Sequence, residues 1–409
     1  MSSEILTEKI LRDASPAVTF SPTKEKTNYT HCDFHPIGNC LLSICTGALN
    51  FFDITTGTPL SSLPTCAVDT GITCATWASG RDSPIATNIV VNNSSNNIDL
   101  YDMRTGKVSL RFSDCHSKAI RKINRGGPFS HHWYTFSSDG ADGQVCIWDV
   151  RAKGGRIGRI KVKSSDSGAT STDSYVFSSG FNCDNTIMSV GMGHSVKYYI
   201  SDVRYHEEVS LGARTIGPLY HYDGQFKMAF NLFKECDYTS SLSRNILSMT
   251  LSPTEDNFLS VCQIDTRDVV VFDSGTGFDG IGKHEMAYKC CVNDHDLYRI
   301  YDKKGSVSSD SSLMECTIDV ARGYFMKKPD IKVKPQTFNT CFSPNEKFVF
   351  CSSRTDGVIC FELGKNRKPK AFRLGQYHPV KGCGYVQCHP SHNIIAAAGA
   401  ELSIFTPGI

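Results

Sequence analysis

The amino-acid sequence predicts an all-β fold built from repeated antiparallel sheets. Three observations lead to this expectation. Short apolar runs rich in Val, Ile, Phe and Cys recur along the chain, with turn residues between them. A turn of the form apolar-Ser/His-Pro follows the first apolar run in four of the repeated segments, at residues 34–36, 251–253, 342–344 and 388–390. Apart from a short segment near residues 3–12, the sequence offers little helical periodicity.

The apolar runs group into units that end in an acidic or aromatic residue. Residues 116–149 show the unit best: strand AIRKI, a Gly-Pro turn, strand HWYTFSS, turn DGADG and strand QVCIWD. The closing residues are Asp53, Asp102, Asp149, Asp202, Asp273, Glu362 and, in the last unit, Phe405. Because these units recur at intervals near those of one propeller blade, the sequence predicts a seven-bladed β-propeller.

The ends and the long intervals complete this prediction. We expect residues 1–16 to be an N-terminal extension and residues 17–409 to be a single propeller. The last unit has only three strands, so the run AVTF at 17–20 is expected to supply its missing outer strand and close the ring. Two stretches, about 203–245 and 278–337, are expected to be long loop insertions.

Composition narrows the class of protein. Lys and Arg number 43 against 41 Asp and Glu, so charge gives no bias toward nucleic acid or membrane. The 18 cysteines show no C-x-x-C spacing, and many lie inside apolar runs, which favours buried free thiols over zinc sites or disulfides. The acidic start does not fit a secretory signal. We therefore expect a reducing compartment, either the nucleus or the cytoplasm.

The unit at residues 116–149 resembles a WD repeat, with His116 opening it and Trp148 followed by an Asp closing it. The resemblance implies that His116, Ser137, Asp142 and Trp148 form a buried hydrogen-bond network that joins the strands of the blade. The same residue types occur in Ser-His-Asp hydrolases. The sequence contains no G-x-S-x-G motif, and buried polar groups need partners in any case, so a structural role is favoured.

Two stretches resemble a particular WD-repeat family. Residues 71–120 and 388–409 are similar to the Swd-two type of subunit, which is shared by the COMPASS histone lysine methyltransferase complex and the protein phosphatase 1 and transcription-termination complexes. The chain departs from that family through its two insertions and through the loss of Trp at the end of every other unit. The resemblance implies a nuclear scaffold without enzymatic activity, metal or cofactor.

The same resemblance implies protein partners. These are a histone methyltransferase subunit or a phosphatase-targeting subunit, with the phosphorylated tail of RNA polymerase II as a further partner and no membrane. In addition, Lys118 and Arg121 lie where a loop enters an innermost strand, at the mouth of the central channel. We predict that they contact an acidic or phosphorylated peptide.

Other interpretations stay open at this point. A WD-repeat adaptor in RNA processing or ubiquitin ligation fits the same fold, as does an RNA-binding propeller that uses the basic clusters at 153–163, 327–334 and 365–370. Solvated loops explain those clusters equally well. The doublet His131-His132 is not expected to bind a metal, because neighbouring residues of a strand point to opposite faces. A phosphoinositide-binding propeller would carry an [FL]RRG motif, which this sequence lacks.

Overall fold

Seven four-stranded sheets and one short helix make up the described part of the computed structural model. That part covers residues 6–22, 27–60, 71–80, 83–92, 96–113, 116–125, 135–140, 142, 144–152, 155–161, 176–181, 187–192, 195–200, 227–231, 246–251, 259–264, 268–273, 285–288, 339–353, 357–363, 370–375 and 382–407. Within these residues, none forms a helix that is long and apolar enough to cross a bilayer.

The N-terminal elements are α1 (Glu8–Asp13) and β1 (Pro16–Phe20). The β2 blade holds β2 (Tyr29–Phe34), β3 (Cys40–Cys45), β4 (Ala48–Asp53) and β5 (Thr58–Leu60). The β6 blade holds β6 (Cys74–Gly80), β7 (Ser83–Asn92), β8 (Ile98–Asp102) and β9 (Lys107–Phe112). The β10 blade holds β10 (Ile120–Arg125), β11 (Thr135–Gly140), β12 (Gln144–Asp149) and β13 (Arg156–Lys161).

Two further sheets follow along the chain. The β14 sheet holds β14 (Val176–Phe181), β15 (Ile187–Met192), β16 (Ser195–Ile200) and β17 (Lys227–Asn231). The β18 sheet holds β18 (Ile246–Leu251), β19 (Leu259–Ile264), β20 (Asp268–Asp273) and β21 (Glu285–Tyr288).

The C-terminal part forms two blades. The β22 blade holds β22 (Thr340–Phe342), β23 (Phe348–Ser353), β24 (Gly357–Glu362) and β25 (Lys370–Arg373). The β26 blade holds β26 (Tyr385–Cys388), β27 (Ile395–Ala398) and β28 (Leu402–Phe405), and β1 from the N-terminus is its fourth strand.

The first strands of consecutive sheets contact one another and bring the chain back to its start. β2 contacts both β6 and β26, so the first and last blades are neighbours. β1 pairs antiparallel with β28, with Val18 opposite Ile404. This is the pairing predicted for the N-terminal strand, and it joins the two ends of the chain within one sheet.

Two parts of the predicted fold are corrected. Within the described residues, five blades with buried side chains are observed rather than the predicted seven, namely those of β2, β6, β10, β22 and β26. The β14 and β18 sheets are defined by strand pairing alone. The predicted loop insertions 203–245 and 278–337 are also wrong in part, because they contain β17 and β21. Each of these strands is the fourth, outer strand of its sheet. A sheet that ended at Asp202 or Asp273 would have only three strands. Most of both stretches lies outside the described residues.

The repeated Ser/His-Pro turn has a local physical cause. The side chain of the Ser or His accepts hydrogen bonds from the backbone of the turn that it begins. His35 Nδ1 accepts from Ile37 N at 3.3 Å, and His389 Nδ1 accepts from Ser391 N at 3.1 Å. Ser343 Oγ accepts from Phe348 N at 3.0 Å across a similar turn. Backbone donors that leave the sheet are thereby satisfied.

The hydrophobic core lies between neighbouring blades rather than within one sheet. Leu100 and Phe112 of the β6 blade share a cluster with Phe136 and Trp148 of the β10 blade. Helix α1 extends this arrangement at the other end of the chain, because Leu11 is fully buried against the β22 and β26 blades. The backbone carbonyl of Leu11 accepts a hydrogen bond from Gly375 N at 3.0 Å.

Candidate functional site

A buried hydrogen-bond network joins the loop before β10 to strands β11 and β12. His116 Nδ1 lies 3.0 Å from Asp142 Oδ1, and His116 Nε2 lies 2.8 Å from Ser138 Oγ. Trp148 Nε1 donates to the same Ser138 Oγ at 2.8 Å. One hydroxyl therefore connects the imidazole to the indole. His116, Asp142 and Trp148 come together as the WD-repeat resemblance implies.

The serine of this network is Ser138, so the prediction of Ser137 was wrong by one residue. Strand alternation gives the physical reason. Phe136 pairs with Trp148 and Ser138 with Cys146, whereas Ser137 pairs with Ile147. Successive residues of a strand point to opposite faces, so Ser137 lies on the face away from the indole. Ser137 is fully buried and makes other contacts.

Gly140, at the end of β11, makes room for the network. A Cβ atom at this position would lie 2.1 Å from His116 Nδ1 and 2.2 Å from Asp142 Oδ1. No side chain fits at such distances without displacing the imidazole or the carboxylate. The DG turn in the sequence indicated a glycine required by the backbone conformation of a turn. In the structure, glycine is required because a side chain would occupy the space of the imidazole and the carboxylate.

The network carries charge at neutral pH. Burial is the largest single influence and disfavours the imidazolium form, but the hydrogen bonds and charge interactions with Asp142 and Cys146 together outweigh it and raise the pKa of His116 to about 9. Burial would raise the pKa of Asp142, whereas His116 and the backbone amides of Ser117 and Gln144 lower it. His116 Nε2 and Trp148 Nε1 therefore both donate to Ser138 Oγ. The hydroxyl bound to the imidazole, that of Ser138, is fully buried, and both ring nitrogens of His116 are engaged, so this network acts as a structural brace.

The acids that close the first three units, Asp53, Asp102 and Asp149, have a defined role in the turn after the third strand. Asp149 Oδ1 accepts from Arg151 N at 2.8 Å, and its Oδ2 lies 2.7 Å from Arg151 Nη2. In the same way, Asp53 accepts from Thr55 N at 2.7 Å. These hydrogen bonds fix the turn that leads to the outer strand. The sequence revealed the recurring acidic residue, but its role in accepting hydrogen bonds from the turn is seen only in the structure.

Lys118 and Arg121 lie beside this brace. Lys118 is exposed in the loop that leads to β10, and Arg121 is half-buried at an irregularity in the pairing of β10 with β11. Lys122 follows, and burial lowers the pKa of its ammonium group while Asp139 acts in the opposite direction. Three cationic side chains thus lie where the loop enters the inner strand.

At the opposite end of β10, Arg125 reaches past the β6 blade to the β2 blade. Its Nη1 donates to Phe34 O at 3.1 Å and lies 3.6 Å from Asp33 Oδ2. The same carboxylate oxygen accepts from Thr76 Oγ1 at 2.8 Å. Asp33 therefore ties three blades together.

Sequence reasoning missed Asp33 and Arg125. A signal was present, because both are charged residues inside strands that the apolar pattern places near the core. A buried charge requires a partner. The pattern does not say which blade supplies that partner, since Asp33 and Arg125 lie far apart in the chain.

Other predicted features lie elsewhere. His131 and His132, and most residues of the three basic clusters, are outside the described residues. Over the residues that the structure does describe, no three His, Cys, Asp or Glu side chains are arranged to bind a metal ion.

Comparison with known proteins places the fold. No protein-family model matches this chain, and no curated protein sequence matches it. Among solved structures, the chain is similar to the crystal structure of the Myceliophteria thermophila Cps50 (Swd1) beta-propeller domain. The TM-score is 0.60 at 12% sequence identity, over 96% of this chain and 99% of that chain. The fold is an all-β β-propeller.

Proposed function

We propose that this protein is a non-catalytic WD-repeat scaffold, a subunit of a nuclear chromatin or transcription complex that acts by binding other proteins. The observation that carries the proposal is the loop at residues 116–121. His116 and Ser117 at its start are bound to Asp142, and Ile120 at its end pairs with Gly140. The loop therefore presents Lys118 on a rigid support, which lowers the entropic cost of docking.

The charge of this loop indicates the class of partner. Lys118 is exposed, Arg121 is half-buried, and both precede or begin an inner strand beside the channel. Cationic groups held in place make charge-assisted hydrogen bonds to carboxylates and phosphates. An acidic or phosphorylated segment of a protein partner is the ligand that this chemistry fits.

The resemblance to the Swd-two type of subunit supplies the named candidates. They are a histone methyltransferase subunit, a phosphatase-targeting subunit and the phosphorylated tail of RNA polymerase II. The similarity to the Swd1 propeller is consistent with a scaffold of this kind. A nuclear location belongs to the same proposal.

Affinity purification from nuclear extract followed by mass spectrometry tests the proposal. The bait proteins are the wild-type chain, the double variant Lys118→Glu/Arg121→Glu, and Lys107→Glu as a matched charge reversal on the exposed outer strand β9. We expect the wild type and Lys107→Glu to retain one of the named complexes. The double variant should recover about tenfold less of that complex, because its charge-assisted contacts are lost.

Two results would contradict the proposal. One is recovery of spliceosomal, ubiquitin-ligase or membrane-trafficking proteins alone, which would indicate a different WD-repeat adaptor. The other is equal recovery by the double variant and the wild type, which would remove the Lys118 loop from the interface. Thermal unfolding of all three baits establishes that the variants are folded.

A further inference from the structure

A second group of polar side chains lies at the other end of the ring from Lys118. The inner strand β10 begins beside the Lys118 loop and ends at Arg125, and the inner strand β2 ends at Phe34. The ends of these strands define the second end of the ring. Two turns of adjacent blades meet here, residues 35–39 after β2 and residues 389–394 after β26. We call this group the histidine end.

Three histidines converge at the histidine end. His389 packs its ring against Phe34 at 5.3 Å between ring centroids and against His392 at 4.6 Å. His35 follows Phe34 in the chain and lies edge-on to Trp77 at 4.7 Å. His389 is buried, whereas His392 is exposed to solvent. The ring of His389 therefore lies between the buried Phe34 and the exposed ring of His392.

Arg125 supplies the fixed positive charge. Its side chain is 10% exposed. Its Nη1 is engaged by Phe34 O, and Asp33 Oδ2 lies 3.6 Å away, beyond hydrogen-bond length. The guanidinium has five N–H donors in total. Within the described part of the chain, its Nε and Nη2 groups make no hydrogen bond, and neither is sealed from solvent.

The Asp33 carboxylate beside Arg125 already accepts from Thr76 Oγ1 and Trp77 N, and the guanidinium and the imidazoles add donors to this end of the ring. His389 Nδ1 accepts from Ser391 N and His392 N, both at 3.1 Å, so the proton of the neutral ring lies on Nε2. Burial, followed by the charges of His392, Arg125 and His35, lowers the pKa of His389 to about 4. A bound anion would accept hydrogen bonds from the guanidinium of Arg125 and from the imidazoles. Its negative charge would also reduce the repulsion between these groups and favour protonation of the imidazoles.

We propose that Arg125, His389 and His392 form an oxyanion-binding site that takes the phosphate or carboxylate group of a peptide. The nearby exposed side chain argues for a peptide rather than a free ion. Ile37 is 72% exposed in the turn beside His35, and it offers an apolar contact to the residue next to the anionic group. This site is separate from the Lys118 loop and does not depend on the function proposed for it.

Histidine-selective NMR tests the site with inorganic phosphate as the probe. The protein has 13 histidines, and each Cε1–H signal reports on its own ring. At constant ionic strength set with chloride, phosphate should cause saturable shifts at His35, His389 and His392 and leave the buried His116 unchanged. Shifts that never saturate, or that are equal at His116, would overturn the proposal, because they would report a general salt effect.

Variants separate the site from the overall field of the protein. His392→Glu, at an exposed position, should weaken phosphate binding about tenfold through loss of a charge-assisted contact. Lys347→Glu is the matched control, since Lys347 is an exposed cation in the corresponding turn of the β22 blade. Equal weakening by both variants would contradict a local site.

A last comparison distinguishes a peptide from free phosphate. A capped phosphoserine-leucine dipeptide should bind more tightly than phosphate, and Ile37→Ser should weaken the dipeptide while leaving phosphate unchanged. Equal affinities for the two probes, with no effect of Ile37→Ser, would contradict the peptide assignment.

Discussion

Ser138 shows how much a single position decides in this fold. Its hydroxyl accepts a hydrogen bond from Trp148 Nε1 and also bonds His116 Nε2. Both donors are buried. The WD-repeat resemblance was sufficient to find His116, Asp142 and Trp148. It could not choose between Ser137 and Ser138, because a run of adjacent serines has no alternation of type to reveal which face each one occupies.

We predict that Ser138→Ala is clearly more destabilising than Ser137→Ala. Removing the shared acceptor leaves two buried donors unsatisfied, which costs roughly 2–4 kcal/mol, whereas an ordinary buried hydroxyl contributes about 1 kcal/mol. Scanning calorimetry of the two variants against the wild type measures the difference as a shift in the unfolding temperature. Equal shifts, or a larger one for Ser137→Ala, would mean that the network does not brace the blade.

At the scale of strands, the sequence located the inner and middle strands better than the outer ones. Apolar runs such as QVCIWD mark strands that are buried on both faces, as the burial of β12 confirms. Outer strands carry a weaker signal: β5 is exposed at every residue. For this reason β17 and β21 were not distinguishable from the loops around them. Pairing with β16 and β20 makes them strands, and pairing is not encoded locally.

The junction between strands β2 and β26 contains two reciprocal contacts. His31 of β2 packs on Tyr385 of β26 at 4.3 Å, and His389 after β26 packs on Phe34 of β2. Burial dominates both environments and lowers the pKa of each histidine from 6.5 to about 4. Asp33 partly opposes this shift at His31, while Lys122 adds to it. Both rings are therefore neutral in the folded protein.

Acid should weaken this junction. The folded pKa values lie below the 6.5 of an ordinary histidine, so unfolding takes up protons and stability is lost as the pH falls from 6.5 toward 4. The loss is on the order of 3 kcal/mol for each imidazole. The double variant His31→Asn/His389→Asn retains side-chain amides near the Nδ1 positions but cannot titrate, so its unfolding temperature should fall less steeply over this range.

His392→Asn is the control for that experiment, because His392 is exposed. Its unfolding temperature should fall with pH nearly as steeply as that of the wild type, because burial is the largest cause of the lowered pKa of His389. If the double variant and the wild type lose stability in parallel between pH 6.5 and pH 4, the two buried histidines are not the cause of the acid sensitivity.

On the scale of the whole molecule, the chain forms a ring whose two ends meet in one sheet. β1 pairs with β28, α1 packs its Leu11 against the last two blades, and Asp33 joins three blades near the start of the chain. The closing strand was predictable, because AVTF had no neighbour and the last unit lacked a strand. The contact between Asp33 and Arg125 was not, since it depends on which blades the closed ring brings together.

The ring separates two surfaces, the Lys118 loop at one end and the histidine end at the other. The proposed scaffold function rests on the first of these. His116, Asp142 and Trp148 have no direct role in binding in this account. They hold the loop in one conformation, so that Lys118 and Arg121 meet a partner without further ordering.

Hydrogen–deuterium exchange of the full chain, with and without the purified partner complex, tests this claim most directly. We predict that amides in residues 116–125 become protected on binding, while those of the exposed outer strands β5 and β9 exchange as before. Protection confined to the outer strands, with residues 116–125 unchanged, would contradict the assignment of the Lys118 loop as the docking surface.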